Sequence, residues 1–175
     1  NGSSVEDECG ECDGSGADAG HDCDGNCVDD SICGSATLSF SNVTSGSADV
    51  LYSSNVDVYG FQFDVNGVTL TGAGSGLGTT SFGETGVVVG FDLAGLSLPA
   101  GDGVLASLTF EETAGGGSIS LADVVLSGAS GSSNIHGGGP DDAAVPGCDD
   151  ADCAGDCGGS SANDECGVCN GSNDC

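Results

Sequence analysis

The sequence predicts an all-β protein, a jelly-roll-like β-sandwich with irregular, cross-linked flanks. Three observations predict it. Apolar and polar residues alternate with period two through the middle of the chain. All 11 cysteines lie outside that middle. The 28 acidic residues face no lysine or arginine, giving a formal net charge of −28 over 175 residues.

The period-two stripes place the strands. In Val56–Val65, Tyr59, Phe61, Phe63 and Val65 are expected to point inward, with Gly60, Gln62 and Asp64 outward. A second stripe sets Val104, Ala106, Leu108 and Phe110 inward, opposite Leu105, Ser107, Thr109 and Glu111. Ala36–Val43, Asp49–Ser53, Val68–Thr71, Val87–Leu93 and Ser118–Leu126 are further strands. The turn-forming runs Asn66-Gly67, Gly72–Gly78, Pro99–Gly103 and Gly115–Gly117 separate them. No segment has helical periodicity. About eight short strands in ~100 residues fit a sandwich. Tyr59, Phe61, Phe63, Phe91 and Phe110 are expected in its core.

Composition then divides the chain. Residues 1–34 and 148–175 are Cys- and Asp-rich, residues 35–133 form the sandwich, and 134–147, with Gly137-Gly138-Gly139-Pro140, reads as a linker. The two ends cannot build a hydrophobic core and need cross-links or metals to order. A solvated, disordered tail is the alternative for them. They contain a repeat. Gly2–Gly16 and Gly159–Asn173 are identical at ten of fifteen positions. The half-motif Asp-Cys-x-Gly-x-Cys stands at Asp22–Cys27 and at Asp152–Cys157. With Asn1 placed after Cys175, the junction Asp174-Cys175-Asn1-Gly2-Ser3-Ser4 matches Asp156-Cys157-Gly158-Gly159-Ser160-Ser161. Cys157, Cys166 and Cys169 then recur 18 residues on as Cys175, Cys9 and Cys12. This pattern predicts units joined head to tail, as separate copies or as one tandem polypeptide. The chain opens at Asn1 and reads as a processed product or a segment of something longer.

Cys9, Cys12, Cys23, Cys27, Cys33, Cys148, Cys153, Cys157, Cys166, Cys169 and Cys175 are expected to form disulfides in an extracellular setting. Their connectivity stays open. The count is odd, so one is free or pairs between units, with Cys33 and Cys175 as candidates. A zinc site on Cys9, Cys12, Cys166 and Cys169 is the alternative.

The charge excludes several functions. Nucleic acids and anionic membranes require cations that this chain lacks. Phosphoryl transfer and Schiff-base chemistry lose their usual Arg and Lys. The acids must stay solvated or bind metal ions. Loops of Asp, Asn and Gly offer the six to eight oxygens that calcium takes. The candidate ligands are Asp7, Asp13, Asp18, Asp22, Asp24, Asp29 and Asp30, then Asp149, Asp150, Asp152, Asp156, Asp164, Asn170 and Asp174. No EF-hand loop occurs. His21 and His136 have no nucleophile in a recognisable motif. Glu111 and Glu112 are adjacent on a strand and so face opposite ways. The chain is expected not to be an enzyme. Asn1, Asn42 and Asn170 head glycosylation sequons, and Asn42, beside a strand end, is the best placed.

The text Asp164-Glu-Cys-Gly-Val-Cys-Asn-Gly-Ser172 resembles the Cys- and Asp-rich calcium-binding repeats of secreted bacterial proteins. These are similar in style to thrombospondin type 3 repeats. Val58-Tyr-Gly-Phe-Gln-Phe-Asp-Val65 and Leu98-Pro-Ala-Gly-Asp-Gly-Val-Leu105 resemble cohesin-like domains. The resemblance implies a prokaryotic source, several bound calcium ions and a non-catalytic binding or scaffolding role. The expected function is an extracellular structural protein, the repeating unit of a calcium- and disulfide-stabilised filament or surface assembly. The alternative is a cohesin-like module of a secreted scaffold, with a protein or glycan ligand.

Overall fold

The computed structural model describes residues 6–10, 14–17, 20–24, 28–29, 34–129 and 134–175. Its strands are β1 (Ser35–Ser41), β2 (Ser47–Ser54), β3 (Gly60–Asn66), β4 (Leu70–Gly74), β5 (Thr79–Phe82), β6 (Val87–Phe91), β7 (Gly101–Phe110), β8 (Gly117–Ser127), β9 (Asn134–Gly138) and β10 (Ala143–Val145). They hydrogen-bond in the order β4-β7-β2-β1-β9-β8-β3-β6-β5, with β10 beside β8. One layer is β4-β7-β2-β1 and the other is β8-β3-β6-β5. β9 joins them. Its first two residues pair with β8 and its last three pair, parallel, with β1. β4 and β5 follow each other in the chain but sit at opposite ends of the order, so the sheet nearly closes on itself.

The core lies between the layers. Phe63, Leu105, Leu108, Ile119, Leu126, Val50, Val58 and Val88 are its largest fully buried side chains. Phe61 and Phe63 stack with ring centroids 5.3 Å apart. Gly90 on β6 makes room for this pair, since a Cβ there would collide with the Phe61 ring. Phe61, Phe63 and Val65 point inward as their alternation predicts.

Several elements differ from the sequence reading. Val104 is 45% exposed and Leu105 fully buried, the reverse of the expected stripe. Val50 pairs with Ala106 and Leu51 with Val104, so Leu105 is an extra residue in a β-bulge. A bulge shifts the alternation by one residue. Val58, not Tyr59, turns inward, because Val58 forms an isolated bridge to Leu98 before β3 begins. Phe91 is 37% exposed, on the outer face of β6. Part of Gly72–Gly78 is strand β4, and β5 follows it unannounced. The segment read as a linker, 134–147, contributes β9 and β10, and His136 lies on β9. Gly137 fits that strand, where a Cβ would strike the Ala36 carbonyl of β1.

Candidate functional site

The C-terminal flank leaves the sandwich after β10. Cys148 N–H donates to the Thr113 carbonyl (3.3 Å), seating the flank beside the β7–β8 turn. A cleft of about 590 Å³ separates the two, lined by Glu111, Glu112, Thr113, Ala114, Gly155, Asp156 and Cys157.

Beyond it the chain makes one turn repeatedly. Its pattern is Asp-x-x-Gly-x-Cys-x-Gly-Ser-x, at 7–16, 152–161 and 164–173. In the turns at 152 and 164 the first-position carboxylate accepts backbone N–H groups from positions 3, 5 and 10, and in the turn at 7 from positions 3 and 10. Asp152 Oδ1 accepts from Ala154 (2.9 Å) and Asp156 (3.0 Å), and its Oδ2 from Ser161 (2.8 Å). Asp164 Oδ1 accepts from Cys166 (2.9 Å) and Val168 (2.8 Å), and its Oδ2 from Asn173 (3.1 Å). Asp7 accepts from Cys9 (2.9 Å) and Gly16 (2.8 Å). Short Asp side chains turn back onto their own backbone readily. The fourth-position glycines take the left-handed conformation that such a turn needs, with φ of 83°, 88° and 79° at Gly10, Gly155 and Gly167. At the eighth position, a Cβ on Gly159 or Gly171 would collide with the anchoring carboxylate.

Disulfides staple these turns to one another. Cys148 pairs with Cys157, Cys153 with Cys169, Cys166 with Cys175, and Cys9 with Cys23. The first three interleave, so no turn between 148 and 175 can open without straining its neighbour. This overturns two readings. Cys175 is bonded and cannot be the odd thiol. Cys9, Cys166 and Cys169 are bonded too, which removes three of the four thiolates of the zinc alternative. Cys12, Cys27 and Cys33 lie outside the described residues.

The candidate calcium ligands fall into three groups. Asp7, Asp152 and Asp164 anchor turns, and Asp22 Oδ1 likewise accepts from Asp24 N–H (3.0 Å). Asp24, Asp29, Asp149, Asp150, Asp156, Asn170 and Asp174 are exposed. Asn170 donates its amide to Ser161 Oγ (3.0 Å), and Asp174 accepts from the Ser172 hydroxyl (2.8 Å). Asp13, Asp18 and Asp30 lie outside the described residues. Among the described residues, no three His, Cys, Asp or Glu side chains converge as a metal site would require. Asn42 is exposed in the left-handed conformation (φ 50°) just after β1. Its Nδ2 donates to Asp49 Oδ2 (2.8 Å).

The anchors have an electrostatic signature. The Asp156 and Ser161 N–H groups hold the Asp152 carboxyl below its ordinary value of 3.8. The Val168 N–H, then those of Asn173 and Cys166, do the same for Asp164. A carboxylate with a lowered folded pKa stabilises the fold above its unfolded pKa, and that contribution fades as pH falls through the folded value. Amide exchange at Val168 and Asn173 is therefore expected to accelerate as pH drops below about 4, after correction for intrinsic rates. Asp164→Asn should flatten this dependence. Protection indifferent to both acid and substitution would contradict the anchoring role.

The sequence reading missed one member of the series. Asp92, in the β6–β7 loop, accepts N–H bonds from Ala94 (2.7 Å) and Leu96 (3.1 Å), and Gly95 has φ 82°. The shared signal is Asp-x-x-Gly, present at Asp7, Asp22, Asp92, Asp152 and Asp164.

No protein-family model matches this sequence, and no curated protein matches it. Among solved structures, the chain is similar to the seventh ScaB type I cohesin from Pseudobacteroides cellulosolvens. The two are 14% identical with a TM-score of 0.48, over 64% of this chain and 91% of that one. It is similar to a non-cellulosomal cohesin from the archaeon Archaeoglobus fulgidus (12% identity, TM-score 0.47, 63% of this chain and 91% of that one). The third ScaC cohesin of Acetivibrio cellulolyticus, solved in complex with the ScaB dockerin, matches at 17% identity and a TM-score of 0.46, over 63% and 99%.

Proposed function

We propose that this chain is an extracellular structural protein whose units join head to tail into a filament or surface layer. The sandwich is the bead and the flanks are the connectors. Calcium is the flanks' countercharge. The observation that carries this reading is the interleaved disulfide ladder of residues 148–175, built on Asp-anchored turns with no buried apolar side chain of their own. A segment held by staples rather than a core is stiff at small size, which suits a spacer. Disulfides persist in oxidising compartments, which supports an extracellular location. The exposed carboxylates of Asp149, Asp150, Asp156 and Asp174 support calcium as the counterion. Asp7, Asp22, Asp152 and Asp164 already accept backbone N–H bonds, so they are weaker ligands than their neighbours.

Electron microscopy and sedimentation of the full chain test the reading. Polymers are expected in millimolar calcium, shortened by a chelator and shortened further when reductant is added. A chain that stays monomeric throughout, or polymers unmoved by both reagents, would overturn it. A second reading, a protein-binding module, is favoured by the apolar side chains that the sandwich leaves exposed. Phe91 and Val125 lie on the outer face of the β8-β3-β6-β5 layer, and Leu93 and Leu96 in the adjoining loop. A monomer that captures a partner at this face without self-association would favour it.

A further inference from the structure

The acids are unevenly spread along the chain. Residues 65–91 hold one of the 28, Glu84. This stretch contains β5, the last strand of the β8-β3-β6-β5 layer. Among the described residues, β5 pairs with β6 alone. Gly83 N–H donates to the Val87 carbonyl (2.9 Å), which sets the phase of that ladder. Hydrogen-bonded and non-hydrogen-bonded pairs alternate between antiparallel strands. Thr79 and Ser81 therefore bond to Phe91 and Val89, while Thr80 and Phe82 turn their N–H and C=O groups to the open side. No backbone hydrogen bond among the described residues meets them there. The Phe82 side chain agrees. It stands opposite Val88, which is fully buried, and so lies on the core-facing side of the layer. Phe82 is nevertheless 42% exposed, because no strand lies beyond β5 to cover it. The layer is one strand short.

Carboxylates bracket this edge. Glu84 is exposed in the β5–β6 turn, just past Phe82. At the other end the Asp92 carboxylate lies over Gly78, where a Cβ would collide with it. The four residues of β5 between them span about 13 Å. A second copy laid along β5 would bring further carboxylates and no lysine or arginine. Charges at an edge strand keep like chains apart in this way. The same two carboxylates suit a strand of opposite charge. We propose that β5 is a docking edge for an extended segment of a different protein, with a Lys or Arg at each end and an apolar side chain facing Phe82. The segment adds as a further strand. Thr80 and Phe82 supply the backbone ladder, Phe82 the apolar contact, and Glu84 and Asp92 the selection for cations. This edge is separate from the outer face considered above, and its use does not depend on how copies of this chain join.

Amide exchange read by NMR on the full chain tests this with the capped peptide Lys-Val-Thr-Val-Thr-Lys. Peptide should slow exchange at Thr80 and Phe82 and leave Thr79 and Ser81, already bonded to β6, little changed. That period-two pattern marks an added strand. Binding should weaken as salt rises. Glu84→Gln combined with Asp92→Asn should cost about fivefold in affinity, as the loss of two exposed ion pairs would. Asp92→Asn keeps an acceptor for the Ala94 and Leu96 N–H groups, so the β6–β7 loop stays in place. Thr80→Pro, which deletes one open N–H, should abolish binding, while Thr80→Val, which keeps it, should not. An unchanged melting temperature in Thr80→Pro separates a lost edge from a lost fold. The same peptide N-methylated at every residue can donate no backbone bond and should fail to bind the unaltered chain. No protection at Thr80 and Phe82, or equal binding of the N-methylated peptide or of Glu-Val-Thr-Val-Thr-Glu, overturns the proposal. Protection of Thr80 and Phe82 that grows with the concentration of the chain alone gives the edge to a second copy and overturns it too.

Discussion

Reduction of the disulfides should unfold residues 148–175 and leave the β-sandwich melting where it did before. Residues 34–147 contain no cysteine, and among the described residues every buried hydrophobic side chain lies between Ala36 and Val145. The flank has the opposite make-up. Its Cys148–Cys157, Cys153–Cys169 and Cys166–Cys175 bridges span 9, 16 and 9 residues. Closing loops of that size removes roughly 3 kcal/mol of denatured-state entropy apiece. No apolar burial replaces this when the bridges break, and the Asp-anchored turns are too short to survive alone. Hydrogen exchange followed by mass spectrometry reads the two parts separately. Protection at Ala154, Asp156, Cys166 and Val168 should vanish on reduction, while the amides of β2, β3 and β7 keep theirs. Among the described residues, the backbone hydrogen bond from Cys148 to Thr113 is too little to couple the two. A sandwich that melted together with its flank would show one cooperative unit and sink this division.

Phe63→Ala should be the most damaging single substitution in the sandwich. Phe63 is fully buried and stacks on Phe61. Truncating a buried phenylalanine costs about 3–5 kcal/mol, through lost transfer energy and the cavity left behind. That is a large share of the ~5–15 kcal/mol that holds a typical domain together. In a domain of this size it lowers the melting temperature by roughly 12 °C or more. Phe91→Ala is the control. The sequence reading puts both aromatics in the core, but Phe91 is partly exposed on the outer face. Its truncation should cost well under half as much. Equal losses in calorimetry would mean that Phe91 is covered in solution.

The sandwich was legible where alternation ran unbroken. Phe61, Phe63 and Val65 fill the face their spacing predicts, and β1, β2, β6 and β8 stand close to their expected places. Reading failed where geometry depends on a partner strand. The bulge at Leu105 reverses the faces of Val104 and Leu105, and only pairing with β2 reveals it. β9 failed for a different reason. Its text offers Ile135 alone as a strand former beside two glycines, and it is a strand because β1 and β8 offer it their edges. In the flanks, the repeat and the cross-linking were plain in the spacing. The work of the aspartates was not. Carboxylates that anchor turns and carboxylates that bind ions share one composition. The N–H groups around Asp152 and Asp164 show those two to be turn anchors.

The parallel pairing of β1 with β9 also sets how the sandwich would bear load. The chain enters the sandwich at Ser35 and passes out of β9 at Gly138, along neighbouring strands that run the same way. Tension between the two ends would be met first by β10 on β8, and would then pull β1 and β9 past each other lengthwise. Their hydrogen bonds at Ser35–Thr37 and His136–Gly138 are then stressed together, in shear, instead of being peeled one at a time. A sandwich pulled from these two ends would resist stretching best along the direction of β1 and β9.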